Sequence, residues 1–207
     1  MEWLNSHLLS VLVFFPLIWS VFSLFFSDQT EMGKKLIRSW ALVGSLFVFA
    51  LSLMVYQRYD AAGSEFQLIE RTSWISGFGI SYYLGIDGIS LWLVLLTTFL
   101  APLIILGAFQ AVEEREKEFY FFLQALQTGI LGAFLSLDIF LFYVFWEAML
   151  IPMYFLIGIW GGKERTYAAM KFFLYTAAGS LLMLVAIFYL AYQHKVQFAE
   201  YSTSIVD

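Results

Sequence analysis

The sequence predicts an all-α integral membrane protein, a bundle of about six transmembrane helices forming one membrane domain over residues 1–207. Three observations carry this. Hydrophobic residues make up 61% of the chain and charged residues 13%, against about 45–50% and about 25% in average soluble domains. Six apolar runs are each long enough to cross a hydrocarbon core about 30 Å thick. Lys and Arg also gather on the connections of one side.

The runs cover residues 4–26, 36–56, 89–110, 119–137, 139–160 and 167–192. No basic residue precedes the first, so it reads as a retained span rather than a cleaved secretory signal. Pro16, Pro102 and Pro152 fall inside the first, third and fifth; each removes a backbone donor and bends its helix, which neighbours can tolerate. The fourth run carries Ala125, Thr128, Gly129, Gly132 and Ala133, and the sixth carries 177–180, Ala-Ala-Gly-Ser. Small residues let helices approach closely, so both runs are expected inside a bundle. Trp3, Trp40, Trp160 and Tyr192 fall near span ends, where amphipathic rings form interfacial belts.

Taking loop 27–35 as cytoplasmic places Lys34, Lys35, Arg38, Arg115, Lys117, Lys163, Arg165 and Lys171 on that side. The other side holds Arg58, Arg71 and Lys195, so the count is eight against three. The positive-inside rule then puts both termini outside. One connection is long, the external loop 57–88. Its stretch 77–82 alternates loosely, consistent with a short hairpin. Its aromatics Trp74, Phe78, Tyr82 and Tyr83 suit packing on protein or lipid headgroups. The charge run 113–118 reads as a solvated face.

Several functions are excluded by composition. The chain has no cysteine, which removes disulfides and thiolate-held iron–sulfur clusters. Its two histidines, His7 and His194, sit near the ends of apolar runs, a poor arrangement for paired haem ligands. A net charge of −5 argues against nucleic acid as a partner.

The candidate functional residue is Glu147. At 1.5 Å per residue it lies roughly 13 Å past Asp138, close to the midplane of the bilayer. An ionised side chain there costs about 2.5–3.5 kcal/mol on insertion scales, and intramembrane carboxylates are functional by default. The alternative is a neutral carboxylic acid that only hydrogen-bonds a neighbouring helix. A cation moving to within 4 Å would interact with it by about 4 kcal/mol at an effective dielectric of 20, enough to shift a protonation equilibrium by roughly three powers of ten. Such a pair can load and release a proton in step with the movement. Lys171, five residues into the sixth run, is the candidate for a cytoplasmic access path, with interfacial anchoring as the other reading of its position. No Lys or Arg lies deep in any run. Gln124, Gln127, Thr128, Tyr143, Tyr154, Tyr175 and Thr176 can hold water or glue helices together. Pro152 frees the carbonyl of Ala148, one residue past the glutamate, which fits either a hydrated pocket there or a simple kink.

The run 145–163, Phe-Trp-Glu-Ala-Met-Leu-Ile-Pro-Met-Tyr-Phe-Leu-Ile-Gly-Ile-Trp-Gly-Gly-Lys, resembles the fifth-span signature of the M (ND4-type) subunits of respiratory complex I, the proton-translocating NADH:quinone oxidoreductase. Residues 84–91, Leu-Gly-Ile-Asp-Gly-Ile-Ser-Leu, and 163–176, leading into the sixth run, agree with it. The resemblance implies the N-terminal part of a fourteen-helix antiporter-like subunit in the membrane arm of that complex. It makes Glu147 the essential glutamate of the N-terminal half-channel. It implies no cofactor in this chain; NADH, FMN, iron–sulfur clusters and quinone belong to other subunits. The implied partners are the other membrane-arm subunits and the lipid bilayer, and the implied location is a bacterial-type plasma (inner) membrane. The family's buried lysines lie on the seventh and eighth spans, beyond this sequence. A fragment of a longer protein, a split subunit completed by a second chain, and a degenerate copy with a structural role all remain open. A subunit of a multisubunit cation/proton antiporter, of the same ancestry, is the rival function.

Overall fold

The computed structural model describes residues 6–28, 30–63 and 65–206; Trp3 and the start of the first run at Leu4 lie outside the described residues. Among the described residues six helices run up and down: α1 (Leu8–Ser23), α2 (Glu31–Arg58), α3 (Gly88–Ala111), α4 (Glu116–Leu135), α5 (Ile139–Trp160) and α6 (Arg165–Phe198). Between α2 and α3 stands an antiparallel hairpin of β1 (Gln67–Ile75) and β2 (Ile80–Ile86). By length and composition α2, α3, α5 and α6 can each cross a membrane, and α1 is apolar but shorter.

The fourth helix carries polar groups within its span because it is the hub. It packs against α1, α2, α3 and α5, and ten of its twenty residues are buried, so its polar groups face protein rather than lipid. Gly129 and Gly132 let α5 approach, since a Cβ on either would overlap Met149 or Phe145. The last helix lies at the other extreme. It packs chiefly on α5, and only 11% of its membrane-length window is buried. Tyr175, at 84% exposed, and Leu182, at 73%, mark its open face.

Helix starts follow local chemistry where the sequence supplies it. Thr30 caps α2 by accepting from the Gly33 N–H at 3.1 Å. Asp87 and Ser90 form a capping box on α3, with bonds of 2.7 and 2.9 Å. The first helix has no such cap of its own. Its N-terminus is served from the hairpin: Glu70, buried on β1, accepts from the Leu9 N–H at 2.7 Å and from the Ser10 N–H and hydroxyl. A carboxylate there also complements the positive end of the helix dipole.

The hairpin is longer than the stretch 77–82 that alternation marks. It turns through Ser76–Phe78 and Gly79, whose φ of 66° is left-handed. A Cβ at Gly79 would also strike the Tyr201 carbonyl, so glycine is required twice over. Two further extended pieces widen the hairpin into a cap over one end of the bundle. The Leu137 N–H donates to Tyr83 at 2.8 Å, the Ile139 N–H to Thr203 at 2.8 Å, and the Ile205 N–H to Leu137 at 2.9 Å. The connection between α4 and α5 is thus paired on both sides, with β2 and with residues 203–205.

The charge run 113–118 departs from expectation. Glu113, Glu114 and Arg115 are exposed, but Glu116 is 1% exposed and takes both forks of Arg38, from α2, at 2.7 Å each. Lys117 pairs with Asp28 at 3.7 Å. Ion pairing to two other elements is what draws part of the run inward; spacing within the run carries no trace of it.

Candidate functional site

Three residues of the α5–α6 interface form the site. The helix that carries it begins at Asp138, which is 0% exposed and accepts from the N–H groups of Phe140 at 2.9 Å and Leu141 at 3.1 Å. Its second oxygen accepts from the Ser81 N–H at 2.9 Å and the Thr203 hydroxyl at 2.6 Å. One side chain therefore caps α5 and ties it to the hairpin and to the C-terminal strand piece. The helix then runs unbroken through Pro152 to Trp160.

Glu147 is half-buried on this helix, and its Oε1 is fully enclosed with no hydrogen-bond partner. One turn earlier, the Tyr143 hydroxyl faces both the Glu147 carboxylate and the hydroxyl of Ser180, which is buried on α6. Ring contacts of Phe140 with Phe188 and of Tyr154 with Phe173 fix the antiparallel register of the two helices. Glu147 then lies level with Ser180 itself. Leaving a buried carboxylate oxygen unpaired is expensive. The arrangement suits a group that exchanges a proton or awaits a further donor, with a phenol and an alcohol in line beside it.

The other sequence candidates fall elsewhere. Lys171 is exposed on α6, its ammonium 5.6 Å from the centre of the Tyr167 ring on the same helix. Ser180 lies nine residues further along, roughly 13 Å at 1.5 Å per residue, so Lys171 is not drawn to the Glu147 cluster. Tyr154 donates to the Met170 sulfur at 3.6 Å, Thr176 to the Phe172 carbonyl at 2.7 Å, and Tyr175 is exposed. Gln124 and Thr128 bond to α2 and α1 instead, through the Ala41 carbonyl at 3.0 Å and the Leu17 N–H at 3.2 Å. Ala148 and Pro152 line a cavity of about 790 Å³ between α1, α4, α5 and the hairpin. Its walls are mainly apolar and Glu147 is not among them. Sequence reasoning missed Ser180 as a member of the site; its only signal was its place at the end of the small-residue stretch. No group of three or more His, Asp or Glu side chains able to hold a metal occurs among the described residues.

Two family models match in succession. Residues 17–133, more than half of the chain, match "NADH-ubiquinone oxidoreductase chain 4, amino terminus". Residues 136–205 match "NADH:quinone oxidoreductase/Mrp antiporter, TM". The NADH-quinone oxidoreductase subunit M of Rickettsia typhi is 37% identical over 190 residues, covering 90% of this chain and 38% of the relative. That of Rhodobacter capsulatus is 45% identical over 182 residues, covering 87% and 35%. A chain of respiratory complex I from Thermus thermophilus shares the fold with a TM-score of 0.76 at 24% identity, covering 95% of this chain and 38% of that one. The chain thus spans little more than a third of the relatives it matches. With the amino-terminal match over most of its helices and the second match continuing it, the chain belongs to the antiporter-like membrane-subunit family of NADH:quinone oxidoreductase, to the amino-terminal part of its chain 4, or subunit M, members.

Proposed function

We propose that this chain forms the N-terminal half-channel of a proton-translocating membrane-arm subunit of an NADH:quinone oxidoreductase, with Glu147 as its protonatable switch. The observation that carries the reading is the enclosed, unpartnered Oε1 of Glu147 at mid-helix, with Tyr143 and Ser180 beside it. A cation brought up to this oxygen favours the carboxylate, and its withdrawal favours the acid. The proton then passes through Tyr143 and Ser180 toward the open face of α6. The cation comes from helices that complete the subunit, in the same polypeptide or in a second one. Lys171 serves the access path at the α6 N-terminus. Redox chemistry, with NADH, flavin, iron–sulfur clusters and quinone, belongs to the other subunits. On the charge count we read the hairpin cap as facing outside and the Arg38–Glu116 end as facing inside, with a bacterial plasma membrane as the proposed setting.

The test is Glu147→Gln in the assembled complex. Proton pumping falls by about tenfold or more, equivalent to at least 1.4 kcal/mol on the limiting step, while assembly is unchanged. Full pumping in a correctly assembled variant removes the switch role. One match also covers Mrp antiporters, which supports cation/proton exchange as a second reading. Sodium-dependent proton exchange in vesicles without NADH oxidation would favour it.

A further inference from the structure

Away from Glu147, one face of α4 carries polar groups that the half-channel does not use. Glu116, Tyr120, Gln124 and Gln127 recur every three or four residues and so share that face. They are 1%, 1%, 2% and 5% exposed. The face turns toward α2 and α3: Tyr120 packs with Ile37, Ala41 and Ile105, and Gln124 donates to the Ala41 carbonyl at 3.0 Å. Two atoms on it, Tyr120 Oη and Gln127 Nε2, are fully enclosed without a hydrogen-bond partner.

Inside a membrane bundle neither lipid nor bulk water can serve such atoms, so their partners must come from within. The nearest charged pair is already committed, because both oxygens of Glu116 accept from Arg38. Successive polar groups on one helix face stand about 5–6 Å apart, close to the span of two hydrogen bonds of about 2.8 Å each. A buried water needs two to four polar partners, and this face offers carboxylate, phenol and amides in sequence. Beyond Glu116 the file is collared by rings: Phe109 lies 6.0 Å from the Arg38 guanidinium and 6.5 Å from the Tyr120 ring, and Phe119 lies 5.4 Å from the latter.

We propose that the α2–α4 interface binds a file of internal water molecules, bridging Tyr120 to its neighbours and reaching Gln127, with the Arg38–Glu116 pair as its door at the end of the bundle opposite the hairpin cap. The file is separate from the Glu147 cluster, since Gln127 and Gly129, which meets α5, point to different sides of α4. Water-filled but closed, it hydrates the bundle core without joining the two sides of the membrane.

Radiolytic hydroxyl labelling of the assembled complex, read by mass spectrometry on this subunit, tests both parts. Internal waters label adjacent side chains despite burial. Tyr120 is therefore expected to be modified at least tenfold faster than Phe145, a buried aromatic on the apolar side of α4. Labelling no faster than Phe145 overturns the water file. In ¹⁸O-labelled water, Arg38→Lys keeps the charge but loses the two-pronged grip, and is expected to speed isotope uptake at Tyr120 several-fold. An unchanged rate overturns the door. Should Arg38→Lys not assemble, Glu116→Gln replaces it with the same expected and refuting outcomes. A density map that resolves waters elsewhere in the bundle decides the file independently: water within hydrogen-bond reach of Tyr120 Oη or Gln127 Nε2 supports it, and none overturns it.

Discussion

Replacing Asp138 by alanine removes a side chain that serves three pieces of chain at once. Loss of the α5 cap costs about 1 kcal/mol. The Ser81 N–H, which gave its bond to Oδ2 at 2.9 Å, is left in the interior without an acceptor, at about 1–3 kcal/mol. Thr203 loses a 2.6 Å bond to the carboxylate and falls back on the Gly79 carbonyl at 3.4 Å, a further cost of about 1 kcal/mol. The sum is about 3–5 kcal/mol. Asp87 provides the control, because it caps α3 through the capping box with Ser90. Asp87→Ala should therefore cost about 1 kcal/mol. Thermal unfolding of both variants in detergent, followed by far-ultraviolet circular dichroism, separates them. At about 2–4 °C per kcal/mol for a chain of this size, Asp138→Ala unfolds roughly 4 °C or more below Asp87→Ala. Midpoints within a degree or two of each other would show that the cap is not organised around Asp138.

Three more perturbations have definite outcomes. A Cβ at Gly44 would overlap the Trp19 indole, which stacks on Trp40 at 4.0 Å and exchanges N–H bonds with it; Gly44→Ala should cost about 1–3 kcal/mol and reduce the near-ultraviolet indole dichroism. Glu70→Ala strips the α1 N-terminus of its acceptor at a cost of about 1–2 kcal/mol, measured as faster hydrogen exchange at Leu9 and Ser10. Burial works against the charge of Asp87, but bonds from the Ser90 side chain and from the Ser90 and Ile89 backbones outweigh it and hold the carboxyl below its usual 3.8. A depressed folded-state value means its contribution is full above the unfolded value and is lost as pH falls through the folded one. Stability should therefore drop on acidification below about pH 4 by an increment that Asp87→Asn lacks, seen in unfolding midpoints against pH.

What the sequence made legible divides along the range of the interactions. Six helices and the membrane setting follow from composition and apolar run length, which are local and redundant. Glu147 stands out because a carboxylate in an apolar run is a local anomaly, and the motif around it carries the family. Asp138 was visible only as the start of that run, because its partners Ser81 and Thr203 lie 57 and 65 residues away. Glu70 reaches 61 residues back to Leu9, and Glu116 reaches 78 residues to Arg38. No periodicity or spacing rule connects such pairs. The polar candidates on α4 and α5 were recognised as polar, but their facing depends on how α4 is rotated within the hub, which sets Gln124 toward α2 and Gly129 toward α5.

The way α6 is held has a mechanical consequence. At 34 residues and 1.5 Å per residue it is about 51 Å long, well beyond the hydrocarbon thickness. Along its length it leans on one neighbour, yet just past its far end residues 203–205 are stitched into the cap. The N-terminal end of α6 is held as well, by the short turn 161–164 and by Arg165, which donates to the Ile159 carbonyl at 2.6 Å, so the rod is tied at both ends and freest to bow between them. Ser180 lies eighteen residues from Phe198, about 27 Å along the rod. Ser180 is thus close to mid-rod, where bowing is greatest, and the two tethers together limit how far α6 can part from α5 at the level of Glu147.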